Sequence, residues 1–381
     1  MSVKSFKINI PDTELELLQQ KLALTRLSKY QPEWTEENGI DGKYLRDALT
    51  YWQKEYSWRK VEEKLNRMPQ FTTSIDVGDF GALTIHFVHA RAVSSKKKAI
   101  PLLFLHGWPG SFMEIEKGLP LLLRAGFDVV APSLPGYGFS SYPKKKGFNL
   151  RHHAEVMNKL MLQLGYPEYV IQGGDWGSNI VHAMGILFPD NIQAIHRNMF
   201  ETRSPQWPEG KEPEYTASEQ AHLDRAFTWF RKQNLAYAQI HVQRPLTMGT
   251  MLTDSPMGLF TWFADKLITW SDAYPWTFDE MITFTMLHYF AVDGPTTGLV
   301  MYHENPEAGF AEYMQEYVKV PCGFSAVPKE LMVMPRSWAQ MATNCVFYKE
   351  HTKGGHFAMW ERPEMLVEDM IEFFEMVWKE K

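Results

Sequence analysis

The segment Gln172-Gly173-Gly174-Asp175-Trp176-Gly177-Ser178 constrains this chain more than any other, because it joins an apolar run, Tyr169 to Gln172, to a helix-like stretch, Asn179 to Leu187. A bend that passes directly from strand to helix leaves its central side chain exposed at the edge of the sheet. The glycines permit a tight, strained turn and a close approach of strand and helix backbones. The central residue is Asp175. A carboxylate there can attack a saturated carbon that bears a leaving group and form an alkyl ester on the protein, whereas serine would give acyl transfer. The plainer alternative is a loop in which Asp175 caps the helix that follows.

Such a bend belongs in a βα framework, and the surrounding sequence supplies one. From Ile100 onward, short apolar runs at Pro101 to Leu105, Phe127 to Ala131, Tyr169 to Gln172 and Ile192 to Arg197 alternate with helix candidates at Phe112 to Leu123, Leu150 to Leu164 and Asn179 to Leu187. That alternation predicts a mostly parallel sheet flanked by helices. It stops at about Arg203, where a stretch dense in Trp, Phe, Tyr and Met runs to Tyr317. Strands resume at Cys322 to Val327 and Asn344 to Tyr348, and Pro363 to Lys379 closes the chain as an amphipathic helix.

Ahead of the sheet, Leu15 to Leu24 and Tyr44 to Leu65 carry helical spacing, and Thr72 to Val77 with Leu83 to His89 form a hairpin across Gly78-Asp79-Phe80-Gly81. The expected organisation is therefore an N-terminal helical segment with the first hairpin strands (1–95), the first half of an α/β core (96–202), an inserted helical lid (203–317) and the second half of the core (318–381). A pocket then lies between lid and sheet, at the carboxyl ends of the strands.

At 381 residues, the chain can bury a large core without disulfide or metal staples. Its net charge of -6 argues against nucleic-acid binding, and the triplets Lys96-Lys97-Lys98 and Lys144-Lys145-Lys146 read as solvated loops. Cys322 and Cys345 are the only cysteines and have no C-x-x-C spacing, so neither a disulfide framework nor a zinc site is expected. The first residues lack the apolar core of a signal peptide and the length of a membrane span, so the expectation is a soluble, cytoplasmic protein.

The nucleophile needs a base, and chain order places it after the last strand. His356, in Gly354-Gly355-His356-Phe357, falls there, and imidazole suits the deprotonation of a hydrolytic water. His152 and His153 lie on a polar helix start, His182 and His196 suit core or surface positions, and His303 and His351 are distant competitors. The acid that would orient the imidazole is Glu330, after the Cys322 to Val327 strand, with Glu201, after the Ile192 to Arg197 strand, as the rival. The loop His106-Gly107-Trp108-Pro109-Gly110 follows the first central strand, so the backbone N–H groups of Trp108 and Trp176 form the expected oxyanion hole.

Together, the HGWPG loop, the GGDWGS elbow, the PKEL acid and the GGHFAMWERP loop resemble epoxide hydrolases of the microsomal type, including soluble fungal members, through nearly the whole chain. Tyr51-Trp52, Tyr56-Ser57-Trp58-Arg59, Leu65-Asn66 and Ile85 to His89 look like that family's N-terminal segment, which wraps the catalytic domain and braces the lid. The resemblance implies an α/β-hydrolase fold and an activity converting epoxides to vicinal diols through an ester on Asp175. It also implies two lid tyrosines that hold the epoxide oxygen and protonate it, and Tyr237 and Tyr302 match those positions. The chain differs from membrane-bound members in lacking an amino-terminal hydrophobic anchor, and it carries Glu at the orienting position.

No cofactor or metal is implied, and the expected partners are an apolar epoxide and water, with a homodimer among the open assembly states. Two other readings share parts of the pattern. A haloalkane or haloacid dehalogenase has a similar Asp elbow and following Trp but needs halide-binding N–H donors, not paired lid acids. A non-catalytic ligand receptor would keep the fold and use its pocket only to bind.

Overall fold

The short apolar runs assemble into one sheet of nine strands in the order β1-β2-β3-β5-β4-β6-β7-β8-β9. These are β1 (Lys4–Phe6), β2 (Gln70–Asp76), β3 (Ala82–Ala90), β4 (Ile100–Leu105), β5 (Phe127–Pro132), β6 (Tyr169–Gly173), β7 (Ile192–Arg197), β8 (Val318–Ala326) and β9 (Thr343–Glu350). The computed structural model describes residues 2–30, 38–93, 99–202, 204–209, 213–306 and 312–379. Lys96-Lys97-Lys98 lies outside the described residues, while Lys144, Lys145 and Lys146 are exposed in a loop.

The strands from β5 to β9 run parallel, with β4 between β5 and β6, and β1 to β3 add an antiparallel edge. The central strands β4 and β6 are buried on both faces, which is why they read as unbroken apolar runs with no alternation. The chain leaves β4 for β5 on one side and reaches β6 on the other, so a crevice opens at the carboxyl ends of β4 and β6. The HGWPG loop follows β4 and the Asp175 elbow follows β6, on either side of that crevice. This is the α/β-hydrolase fold expected from the sequence.

Some elements differ in detail. The stretch Tyr44 to Leu65 is two helices, Gly42–Lys54 and Trp58–Leu65, separated at Ser57, whose extended backbone restarts the helix and lets Trp52 and Trp58 both reach the core. The helix after the elbow starts at Asp175, ahead of the expected Asn179: Gly177 lowers helix propensity, yet only glycine fits there against the Leu105 carbonyl. β1 was not expected, and neither was the helix Arg336–Ala342. Cys322 and Cys345, distant in sequence, are register neighbours on β8 and β9, and both are free thiols.

Between β7 and β8 the chain forms a helical layer over the carboxyl ends of the strands: Ala217–Asp224, a π-helical stretch Arg225–Asn234, Ala236–Gln243, Pro245–Asp254, Pro256–Trp270, Phe278–Tyr289 and Thr296–Glu304. The N-terminal segment braces this layer. Tyr51 donates to the Asp279 carboxylate, Tyr56 is 3.2 Å from the Thr283 hydroxyl, and Trp58 packs edge-on against Phe290. The end of helix Pro256–Trp270 is tied to the histidine loop: the Trp270 carbonyl accepts from the His356 N–H at 3.0 Å, and the Asp272 side chain accepts from the Gly354 N–H at 2.8 Å. Glu361 completes the junction by accepting from the Asp272 and Phe357 N–H groups.

Candidate active site

Asp175 is the first residue of its helix and has φ of 48°, in the left-handed region that a residue with a Cβ enters only under constraint. Gly174 takes the cap position with an extended backbone, so Asp175 does not cap the helix and its carboxylate turns away from it. Two glycines make room. A Cβ on Gly107 would stand 1.9 Å from Asp175 Oδ1, and one on Gly177 would stand 2.4 Å from the Leu105 carbonyl oxygen. The Trp108 N–H donates to Asp175 Oδ1 at 2.7 Å. The Trp176 N–H lies in the first helical turn, where no intrahelical acceptor exists.

His356 Nε2 lies 3.2 Å from Asp175 Oδ2, and Nδ1 lies 2.5 Å from Glu330 Oε1. Glu330 is held in turn by the Asn198 amide at 2.9 Å and the Leu331 N–H at 2.7 Å. Burial opposes a charge on His356, but the carboxylates of Glu330 and Asp175 outweigh it and raise the imidazole to about 10. Glu201, the other acid weighed for this task, pairs with Arg231 at 2.5 Å, and burial raises its carboxyl above the usual range.

The remaining histidines have other partners. His303 meets the Val242 carbonyl, His351 the Asp369 carboxylate, His182 the Met314 carbonyl and His196 the Ser325 hydroxyl. His152 lies in the first turn of its helix, where its ring accepts from the N–H of the capping Asn149, but His153 is fully buried among aromatic rings, not on a polar surface.

Tyr237 and Tyr302 come down from separate lid helices, Ala236–Gln243 and Thr296–Glu304, into one cavity with Asp175. That cavity measures about 270 Å³ and is lined by apolar side chains such as Trp176, Phe230 and Leu235, with Asn179 and Gln239 among the polar ones. Tyr237 stacks on Trp108 at 5.2 Å, and Tyr302 stands edge-on to Trp176 at 4.8 Å. Burial, with the nearby Asp175 charge, pushes both phenols up, so both hold their protons. The two hydroxyls lie close enough to act on each other, a contact that lowers the Tyr237 phenol and raises that of Tyr302.

Sequence reasoning missed Glu114. It lines a second, water-sized cavity of about 10 Å³ on the far side of Asp175, bounded also by Gly107, Gly174, Asn198 and His356. Burial, with the Asp175 charge, pushes the Glu114 carboxyl up to about 8, although the nearby His356 pulls it down. Asn198 was missed because a lone amide after a strand has no chemical signature. Among the described residues, no group of three or more His, Cys, Asp and Glu side chains could hold a metal, and no helix is long and apolar enough to cross a membrane.

Comparison with known proteins gives a consistent result. Residues 3–115 match the family described as epoxide hydrolase N terminus, and residues 100–200 match the alpha/beta hydrolase fold family. Epoxide hydrolase 1 of Oryctolagus cuniculus is 32% identical over 99% of this chain and 89% of that protein. The structure of the Aspergillus niger epoxide hydrolase superposes with a TM-score of 0.89 at 35% identity, covering 99% of this chain and 97% of that one. The juvenile hormone epoxide hydrolase of Bombyx mori superposes with a TM-score of 0.85 at 29% identity, covering 99% and 95%.

Proposed function

The chain belongs to the epoxide hydrolase family, and on that premise we propose a two-step route in which Asp175 carries the substrate as an ester. It is an enzyme that opens epoxides to vicinal diols. In the first step, Asp175 Oδ attacks an oxirane carbon, the C–O bond breaks, and the ring oxygen takes a proton from the phenols of Tyr237 and Tyr302. An alkoxide expelled into a dry cavity is costly unless donors meet the charge as it develops.

In the second step, His356 takes a proton from water, which attacks the ester carbonyl. The N–H groups of Trp108 and Trp176 hold the resulting oxyanion; on its collapse the diol leaves, Asp175 is regenerated as the carboxylate, and the proton taken up by His356 returns to the phenolate left by the first step. Glu330 fixes the imidazole tautomer and stabilises the imidazolium. The small cavity behind Asp175 suits the attacking water, with Glu114 as a protonated donor on its wall. Alkylation also changes the base. Esterified Asp175 is neutral, so one of the two carboxylates holding His356 protonated is gone when a neutral imidazole is needed.

The observation that carries this reading is a pair of protonated phenols facing a carboxylate nucleophile across one cavity. A dehalogenase would need halide-binding N–H donors at that place, and a receptor would need neither nucleophile nor base. The two free cysteines fit a reducing compartment. A single turnover with excess enzyme in water enriched in heavy oxygen tests the route. The first diol formed should carry unlabelled oxygen drawn from Asp175, and label should appear in the protein. Direct incorporation of solvent oxygen into the first diol would overturn the ester.

A further inference from the structure

Glu330 serves the imidazole only while its carboxylate stays in line with it, yet the turn that carries it, Val327-Pro328-Lys329-Glu330, is weakly held from within. The bond from the Glu330 N–H to the Val327 carbonyl is long at 3.3 Å, and Pro328 has no N–H to donate. The Lys329 N–H reaches sideways to the Gly354 carbonyl of the histidine loop at 3.0 Å. The Lys329 and Glu330 carbonyls lie beyond the end of β8 and its ladder, so their donors must come from elsewhere.

The lid supplies them through Arg225, the first residue of its π-helical stretch. Arg225 Nε donates to the Glu330 carbonyl and Nη2 to the Lys329 carbonyl, both at 2.8 Å. The guanidinium lies over the Trp229 ring, 3.8 Å from its centre, which fixes its plane. Burial lowers it to about 10, while the carboxylates of Glu330, Asp272 and Glu361 pull it up, so it stays charged. One helical turn earlier, the His222 ring meets the Val327 backbone. The lid therefore grips the acid turn at successive residues. A rigid planar fork suits two adjacent carbonyls, whereas a flexible ammonium fixes neither direction.

We propose that Arg225 is a positioning residue for ester hydrolysis: by holding both carbonyls of the acid turn from the lid, it keeps the Glu330 carboxylate aimed at His356 Nδ1. The inference rests on the two-step reading above, in which Glu330 serves His356 in the second step. Arg225 acts through Glu330. A displacement of about 1 Å in a group that aligns the reacting partners can cost on the order of 10²-fold in rate. Alkylation depends on Asp175 and the lid phenols, so it is spared.

The test follows ester formation and decay by quenched flow, with butyloxirane as the probe, in the wild type, Arg225→Met, Arg225→Lys, Glu330→Gln and the double variant Arg225→Met/Glu330→Gln. Arg225→Met should form the ester within a few-fold of the wild-type rate, which reports that the lid is in place, and hydrolyse it about 10- to 100-fold more slowly. Arg225→Lys keeps the charge and can reach one carbonyl, so it should recover part of that loss. In the Glu330→Gln background, Arg225→Met should cost no more than about twofold further, because nothing is left for it to align. Unchanged ester decay in Arg225→Met would overturn the proposal. So would equal slowing of both steps, which would make Arg225 a brace of the lid, or a full additional loss in the double variant. No ester in the wild type, or decay at the wild-type rate in Glu330→Gln, would instead overturn the two-step reading on which the proposal rests.

Discussion

His356 Nε2 stands 3.2 Å from Asp175 Oδ2, so the imidazole and the carboxylate form an ion pair across the catalytic cleft. Glu330 and Asp175 together raise His356 to about 10, and the proposed ester would remove the share that depends on the Asp175 charge.

That dependence predicts a pH signature. In the free enzyme, the His356 ring resonances should titrate near 10, whereas single-turnover ester hydrolysis should rise with pH to a lower midpoint. Equal midpoints would mean that Asp175 does not govern the base. Stability follows the same group. The folded value lies above the unfolded imidazole value of about 6.5, so this contribution is complete below that pH and is lost as pH rises from there through about 10. His356→Gln should remove that part of the alkaline decline in Tm.

The same variant isolates the two chemical steps. His356→Gln should still alkylate Asp175 but hydrolyse the ester about 10²- to 10⁴-fold more slowly. Intact-protein mass should then rise by the mass of the bound epoxide. A folded variant that forms no adduct would count against His356 as the base.

Tyr237→Phe and Tyr302→Phe should each slow alkylation by about 10- to 100-fold while leaving ester hydrolysis near the wild-type rate. Losing both hydroxyls should cost more than losing either. Quenched-flow measurement of ester formation and decay separates these effects, and equal slowing of both steps would remove the assigned role.

Glu114→Leu should leave alkylation intact and make the ester accumulate, whereas Glu114→Gln, which can still donate a hydrogen bond into the small cavity, should hydrolyse it within a few-fold of the wild-type rate. Because burial raises the Glu114 carboxyl to about 8, the folded state loses stability as pH rises from the ordinary carboxyl range through that value. Glu114→Gln should flatten this decline in thermal melts. Ester decay unchanged in Glu114→Leu would take Glu114 out of the second step.

The frame of this molecule was legible because burial writes itself into sequence. β4 and β6 are covered on both faces and appear as plain apolar runs, and the Asp175 elbow announces itself through glycines that the fold needs for close backbone approach. The start of the elbow helix was obscured by those same glycines, since Gly177 looks like a helix breaker until the Leu105 carbonyl beside it is seen. β1 has too few residues to carry a periodic pattern. Glu114 and Asn198 were invisible because their importance lies in what surrounds them: a small cavity and a carboxylate. No spacing rule encodes these.

The hydrogen bond from the His356 amide to the Trp270 carbonyl has a mechanical consequence. The far end of helix Pro256–Trp270 is fastened to the same short loop that carries the imidazole, and Asp272 and Glu361 rivet it there. That margin of the cover cannot swing without dragging the proton acceptor out of line. The stationary edge is thus on the histidine side, and any breathing that admits substrate belongs to the opposite rim, where Arg231, Gln239 and Asn305 border the larger chamber.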